Sequence, residues 1–436
     1  MPVAAADTQG AAPTLPPDDP LRRALHDEVH SRPAARVRLP ACVRYVAVLN
    51  DGVSRADEAR HLATLPDAMP AGAGAMTEPY LRVRLPGAML RREHHSEFTR
   101  YTLVTSQPAT AGRGQAVPPR WWAGIPGRLF AAIELTLEEG DLSDLPAVLG
   151  ELRQGFGGDE VVASLLGDGY ALAVTDFRVA ADGVERIVVR CAPGTSATRA
   201  GRIVQRLLEL ETYRLMALRG LPASKALAGP LGVAEADLVA ITAQTVDQHS
   251  ADADLLARLT LLAARIEQAT AANGYRFSAT AAYHAIVQQR IAELCERAVP
   301  GTQALGVFMQ RRLTPAMATV ASTAQRLAAL SQRIERAGAL LRTRVDIATE
   351  AQNQQLLEKL TRGQDLQLRL QSTVEGLSIA AISYYVVSLV LYGAKAAKAA
   401  GLPLEPELLA GAAIPLVLWG VWHTVRNIHR ALRAGG

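Results

Sequence analysis

The spacing of apolar and polar residues changes along the chain, and each pattern predicts a different structure. Between residues 19 and 193, apolar and polar residues alternate in short segments that contain β-branched side chains and end at Pro or Gly, as in residues 35–49 and 80–90. Such alternation is typical of half-buried strands. We therefore predict an α/β or α+β domain over residues 19–193, preceded by a disordered lead-in over residues 1–18.

From Ser196 onward the apolar spacing rises to nearly four residues, which predicts helices. A helical region is expected over residues 194–300, and its first helix should run from Ser196 to Arg219, closed by Gly220 and Pro222. An earlier helix is expected from Pro20 to about His30, because Asp19 can cap it and Pro33 prevents its continuation. A much longer helix is expected over about residues 316–371, because no proline interrupts the chain between Pro315 and Pro403. This predicts a stalk within residues 301–375.

The stalk has apolar residues that recur mostly at three- and four-residue spacing, among them Leu327, Leu330, Ile334, Leu341, Val345, Leu356 and Leu360. Such a helix needs a partner for its apolar side. The spacing is compatible with antiparallel packing on the preceding helices and with a coiled-coil-like association of copies, and it favours neither. The repeat is too irregular to define a strict heptad over the whole stalk.

Two runs near the C-terminus contain no charged residue, over residues 376–394 and 408–425. About twenty apolar residues in a helix cross the hydrocarbon core of a bilayer. We therefore predict a two-helix transmembrane hairpin with a loop at residues 395–407 and a basic tail at residues 426–436. The bilayer would be the first partner of the chain.

Composition agrees with this division. Hydrophobic residues make up 49%, charged residues 20% and aromatic residues 5%, and the net charge is +4 with basic and acidic residues interspersed. A nucleic-acid groove would need a clustered basic patch, so no nucleic-acid partner is expected. Three separated cysteines without a CxxC pair argue against a disulfide framework or a zinc site, and they favour a reducing compartment.

The residues that flank the two runs predict the orientation. Two lysines lie in the connecting loop, offset by Glu405 and Glu407, whereas arginines lie on the outer flanks. The positive-inside rule then puts both termini in the cytoplasm. The flanking residues expected at the membrane surface are Arg362, Arg369, Arg426 and Arg430.

Several strings resemble a bacterial family of membrane-anchored proteins that carries a domain of unknown function, the 3422 family. They include LHDEVHSRP at residues 25–33, LRREHHSEFTRYT at residues 90–102 and YRFSATAAYHAIVQQRIAEL at residues 275–294, and further strings extend to residue 395. One departure is Arg92, where the family usually has Trp. The resemblance implies anchorage in the bacterial inner membrane and brings no known activity.

Two groups of residues have the composition of a metal or acid–base site. His30 follows His26 by one helical turn with Glu28 between them, so this group could ligate a metal or complement the end of a helix. Glu93, His95 and Glu97 alternate, so a strand would place all three on one face, where they could hold a divalent cation or make ordinary polar contacts. The metal hypothesis thus names His30, Glu93, His95 and Glu97.

The first uncharged run also contains a polar stripe, which is expected to pack against a helix or to line a pore. Its members are Ser378, Tyr385, Ser388 and Tyr392, followed by Gly393. The layout is similar to that of CorA-type magnesium transporters, in which the first span ends in Tyr-Gly-Met-Asn. Here Tyr392 and Gly393 are followed by Ala394 and Lys395, and a lysine would repel divalent cations.

No P-loop, GxGxxG after a strand, GxSxG or HExxH motif is present. We therefore predict no catalytic residue and no cofactor. The sequence favours a non-enzymatic, multi-pass inner-membrane protein that forms a homo-oligomer or binds a protein partner through its cytoplasmic domain. The alternative is a CorA-like oligomeric channel or transporter.

Overall fold

The computed structural model describes residues 19–22, 25–26, 36–66, 79–106, 116–157, 160–246, 252–400, 403 and 405–434. The chain divides into two compact units. One comprises Met1–Val246 with Arg258–Arg336, and the other comprises Asp247–Ala257 with Ala337–Gly436. The first unit contains a mixed sheet with helices, and the second contains long helices.

The described residues form a sheet of nine strands in the order β2-β3-β4-β1-β5-β8-β7-β6-β9. All neighbouring strands are antiparallel except β5 and β8, which are parallel. The strands are β1 (Ala41–Leu49), β2 (Tyr80–Leu85), β3 (Ala88–His94), β4 (Phe98–Thr105), β5 (Arg128–Glu139), β6 (Val162–Leu166), β7 (Ala171–Val179), β8 (Glu185–Cys191) and β9 (Arg297–Ala298).

The helices lie between the strands and after them. They are α1 (Arg55–Leu62), α2 (Pro119–Ala123), α3 (Leu145–Gln154), α4 (Ala197–Leu218), α5 (Gly220–Val246), α6 (Asp252–Glu293), α7 (Leu305–Ala399) and α8 (Pro406–Ala434), with a short 3₁₀ helix at Gly167–Gly169. The alternating segments at residues 35–49 and 80–90 thus contain β1 and the β2–β3 hairpin, which confirms a mixed α/β sheet followed by long helices.

The β1 strand lies in the middle of the sheet and alternates buried with half-buried residues along most of its length. Its Val43, Tyr45 and Ala47 belong to a core that also contains α4 residues such as Ile203 and Leu207. The Tyr45 hydroxyl lies 2.6 Å from the Thr212 Oγ1, which satisfies both groups inside this core. Burial of one apolar face of the sheet by α4 therefore organises the first unit.

The helix predicted from Ser196 to Arg219 is confirmed, since α4 spans Ala197–Leu218 with Ser196 and Arg219 as its caps. A second helix, α5, begins directly at Gly220, with Pro222 in its first turn. Proline is tolerated there because the first backbone N–H groups of a helix have no intrahelical partner. The described residues that precede Pro33 are too few to test the helix expected around His30.

The long helix, α7, begins earlier than the predicted start at about residue 316. It starts at Leu305 and contains Pro315 in its interior. An interior proline costs one hydrogen bond and about 3 kcal/mol. The buried side chains of Met309, Leu313 and Met317 surround this proline along the helix, and their packing keeps the helix intact.

Candidate functional site

The β3–β4 hairpin and α1 bring together a buried group of charged side chains. Ser54 begins α1 with a capping box, in which its hydroxyl accepts the Asp57 N–H and the Asp57 carboxylate accepts the Ser54 N–H. This fixed start directs Glu58 and Leu62, one turn apart, toward the protein interior, where both are buried.

The face of β3 that meets α1 carries Leu90, Arg92 and His94, because alternate strand residues share a face. The Arg92 Nη1 donates to the Glu58 Oε2 at 2.9 Å, and each of these side chains is only 1% exposed. The Glu58 carboxylate also lies 3.2 Å from the His94 Nδ1 and accepts from the Thr99 Oγ1 at 2.5 Å. We call Glu58, Arg92, His94 and Thr99 the Glu58 cluster.

The Glu58 cluster compensates its charges internally. A buried carboxylate is costly unless a cation and hydrogen-bond donors surround it, and here Arg92 and Thr99 serve these roles. The Thr99 Oγ1 also lies 2.9 Å from the Asn50 Oδ1, and the Asn50 Nδ2 donates to the His95 carbonyl at 2.7 Å. The bond from Asn50 fixes the turn after β3 relative to the turn after β1.

The opposite face of β3 carries Glu93, which is paired across the strands with Arg100. Arg100 also lies 3.5 Å from the Glu209 of α4, and Glu209 accepts from the Arg290 of α6 at 2.5 Å. Burial works to raise the pKa of Glu209, but Arg100 and Arg290, with a hydrogen bond from Gln205, lower it overall. This ionic chain joins the sheet to α4 and α6.

Glu97 belongs to a third cluster. Its carboxylate pairs with the Arg276 guanidinium and accepts from the Tyr283 hydroxyl at 2.8 Å. Burial and the neighbouring Glu97 raise the pKa of Tyr283. The Glu97 side chain therefore links the β3–β4 turn to α6.

The predicted row of Glu93, His95 and Glu97 does not exist as a strand face, because β3 ends at His94 and the chain turns there. Glu93 contacts Arg100, Glu97 contacts Arg276, and the His95 ring stacks on Phe98 at 4.5 Å. Within the described ranges, no group of three or more His, Cys, Asp or Glu side chains has the arrangement of a metal site. His30 lies outside the described residues, so the metal hypothesis stays a prediction.

Sequence reasoning overlooked the Glu58 cluster. One signal was present: Arg92 and His94 continue the apolar β3 face that begins at Leu90, and Glu58 precedes the apolar Leu62 by one helical turn. Arg92, at the position of the Trp expected from the family resemblance, is the largest side chain among those described that are less than 2% exposed.

A pair of buried acids, Glu185 and Glu211, lies near the C-terminal end of α4. Glu185, at the start of β8, is 4% exposed, and Glu211 is 1% exposed. The Arg214 Nε donates to the Glu211 Oε2 at 2.7 Å, whereas the Glu185 Oε1 has no hydrogen-bond partner among the described residues. Burial and the adjacent Glu211 raise the pKa of Glu185 to about 9. The Glu185–Glu211 pair therefore retains a proton at a higher pH than an ordinary glutamate does.

The second unit contains the two uncharged runs, at the C-terminal end of α7 and in α8. By length and composition both helices are able to cross a membrane, with mean hydropathy of 1.8 and 1.6 over their most apolar windows, of which 6% is buried. A third helical stretch, Ala197–Thr245 in the first unit, also meets these criteria, but 28% of its window is buried.

The polar stripe of the first run is largely uncovered. Ser378, Tyr385 and Tyr392 are exposed and Ser388 is half-buried in the single chain, so the helix-packing and pore expectations for the stripe both stay predictions. The buried polar residue of this run is instead Ser383, at 4% exposure. Gly393 is exposed, and no described atom beyond its chain neighbours and its own helix backbone lies within 4 Å of a Cβ placed there.

The flanking arginines Arg362, Arg369 and Arg426 are exposed. Arg426 lies over the Trp422 ring at 4.9 Å, whereas the side chain of Arg430 is outside the described part of the chain. An aromatic ring beside a cation at the end of an apolar helix is typical of a membrane–water interface.

Comparisons with known proteins identify the family and go no further. No curated protein matches the chain. No solved structure matches it. The sequence model of the family described as "Protein of unknown function (DUF3422)" matches residues 17–432, and the chain therefore belongs to this family.

Proposed function

We propose that the protein is an integral protein of the bacterial inner membrane, anchored by a hairpin of the C-terminal part of α7 and α8. The observation that carries this proposal is the near-complete exposure of two long apolar windows, each only 6% buried. Leaving a leucine in water instead of burying it costs about 1.5–3 kcal/mol, so lipid is the natural solvent for these helices.

The remaining chain would lie on the cytoplasmic side and bind copies of itself or another protein. The arginine-rich flanks support this orientation. A non-enzymatic role is favoured because the buried charged groups of β3, β4, α4 and α6 are engaged with one another. The Arg100 guanidinium, for example, contacts both Glu93 and Glu209.

Membrane anchorage is tested with full-length protein in isolated membranes. We expect it to resist extraction by alkaline carbonate and to be released by detergent. The combined variant Ile382→Arg, Leu389→Arg should weaken retention, because each arginine at a helix centre costs about 2.5–3.5 kcal/mol on insertion. Leu368→Arg is the matched control, since Leu368 is similarly exposed on α7 but precedes the uncharged run. Wild-type protein in the soluble fraction without detergent would contradict the proposal.

Orientation is tested with the native cysteines. Cys295 is exposed, whereas Cys42 is half-buried and Cys191 is buried. A membrane-impermeant maleimide should label Cys295 in inside-out vesicles and leave it unlabelled in right-side-out vesicles, and Cys295→Ser is the control for specificity. The reverse result would place the large unit outside the cytoplasm.

A CorA-like channel or transporter is the second candidate. It is favoured by the exposed stripe of Tyr385 and Tyr392, because polar groups in a membrane helix usually face protein or water. Lys395 after Gly393 argues against divalent cations. Ion flux in proteoliposomes that Tyr392→Leu abolishes would support the channel, and absence of flux from wild-type protein would remove it.

A further inference from the structure

The part of α7 that belongs to the second unit leaves a regular set of apolar side chains exposed. These are Leu356, Leu360, Leu370, Val374 and Leu377, with exposures between the 57% of Leu360 and the 74% of Leu377. Leu357, Leu366 and Leu368 are similarly exposed and lie outside this set. The members of the set are separated by four, ten, four and three residues. These intervals fit one alternation of three and four residues, which is the seam of a coiled coil.

The full seam contains eight positions, and we call it the leucine seam: Asn353, Leu356, Leu360, Gly363, Gln367, Leu370, Val374 and Leu377. In heptad notation Asn353, Leu360, Gln367 and Val374 occupy a positions, and the other four occupy d positions. The seam covers about three and a half heptads, and five of its eight positions are apolar.

We propose that the leucine seam binds the leucine seam of a second copy of this chain, in parallel and in register. The charge pattern supports this occupant. No charged residue of this stretch occupies an a or d position. Lys359 lies beside the seam at g, and the others lie farther out, with Glu358 and Asp365 at f, Arg362 and Arg369 at c and Glu375 at b. Two identical seams therefore meet without placing a charge between them.

The polar seam positions select the register. Asn353 and Gln367 both occupy a positions, where an amide pairs best with the amide of the partner helix. Only a parallel, unshifted arrangement places each amide opposite its own counterpart. The parallel direction also rests on the proposed membrane anchorage, because copies anchored at the same end of α7 point the same way.

The seam is tested by disulfide cross-linking of full-length protein in mild detergent. The exposed Cys295 is first replaced by Ser. Leu370→Cys, at a d position, should form a disulfide-linked dimer on oxidation. Ser372→Cys, at the outward f position two residues later, should not. Equal cross-linking at both positions, or none at Leu370→Cys, would overturn the proposal.

A second measurement uses molar mass in detergent by sedimentation. Leu360→Glu combined with Leu370→Glu should weaken self-association about tenfold or more, a loss of at least 1.4 kcal/mol. Leu368→Glu, at an exposed b position, should leave it unchanged. A wild-type protein that is monomeric but still resists carbonate extraction would contradict self-association through the leucine seam and leave membrane anchorage intact. A soluble protein that still cross-links at Leu370→Cys would contradict membrane anchorage and leave the seam intact.

Discussion

Helix α7 contains two stretches with similar apolar spacing and opposite surroundings. In the first unit, Leu327, Leu330 and Ile334 are 2%, 1% and 4% exposed. In the second unit, Leu356 and Leu360 are 58% and 57% exposed. The first stretch satisfies its apolar face within the chain, and the second does not satisfy it with any described residue.

The charged residues follow the same division. The first unit buries ion pairs such as Arg92–Glu58, whereas the second has pairs such as Lys398–Glu405, whose side chains are 52% and 68% exposed. A buried pair is costly to break, and an exposed pair contributes little. The first unit is therefore stabilised from within, whereas the second exposes apolar side chains that no described residue covers.

The largest difference between the two units is expected when the buried Arg92–Glu58 ion pair is broken. Arg92→Met should lower the free energy of unfolding of the first unit by about 3–5 kcal/mol, because it leaves the Glu58 charge buried without its cation. Urea unfolding can be followed by the fluorescence of Trp121 and Trp122, with Trp419 and Trp422 replaced by Phe.

The matched control is Arg128→Met, since Arg128 is 72% exposed and pairs with the exposed Asp51. It should cost no more than about 1 kcal/mol. Adding Glu58→Gln to Arg92→Met should recover part of the loss, because the uncompensated charge is removed. Strict additivity of the two changes would show that the pair is not coupled.

Truncation of the two leucine sets tests the comparison directly. Leu330→Ala should destabilise the first unit by about 2–5 kcal/mol, because it removes a fully buried side chain and leaves a cavity. Leu360→Ala should change the unfolding of that unit by no more than about 0.5 kcal/mol. Equal losses in the same urea titration would remove the distinction between the two stretches.

The buried acid pair predicts a pH dependence of the first unit. The pKa of Glu185 is raised to about 9 in the folded state, against 4.5 for an ordinary glutamate. Between these values the unfolded chain releases a proton that the folded chain retains, so stability is complete below about pH 4.5 and falls as the pH rises toward 9.

Glu185→Gln removes this proton linkage. It should raise the unfolding free energy at pH 8 by on the order of 2 kcal/mol relative to wild type, with a smaller gain at pH 5. Urea titrations at both pH values measure the difference. A gain that is the same at pH 5 and pH 8 would indicate a packing effect without proton linkage.

The smallest effect is expected for one hydroxyl. Tyr283→Phe removes the bond to Glu97 and should cost about 1 kcal/mol, since Arg276 still pairs with that carboxylate. Tyr385→Phe, at a 67% exposed tyrosine of the second unit, should leave the unfolding of the first unit unchanged. Similar costs for the two changes would argue against separate stabilisation of the units.

Much of the fold was predictable because it depends on local patterns. The alternation at residues 80–90 produced the β2–β3 hairpin, and Ser196 caps α4 by accepting the Arg199 N–H at 3.3 Å. The candidate site was less predictable. Glu93 and Glu97 were expected on one strand face, but the chain turns after His94. Glu93 therefore pairs with Arg100, whereas Glu97 pairs with Arg276, which is 179 residues away in the sequence.

By itself, the sequence determined the mixed sheet, the change to helices after Ser196 and the two uncharged runs, because each depends on side-chain spacing within a short segment. Only the tertiary structure decided which leucines of α7 are buried and that Arg92 meets Glu58. Burial and charge compensation depend on residues that are far apart in the chain, and spacing within one helix contains no information about what covers it.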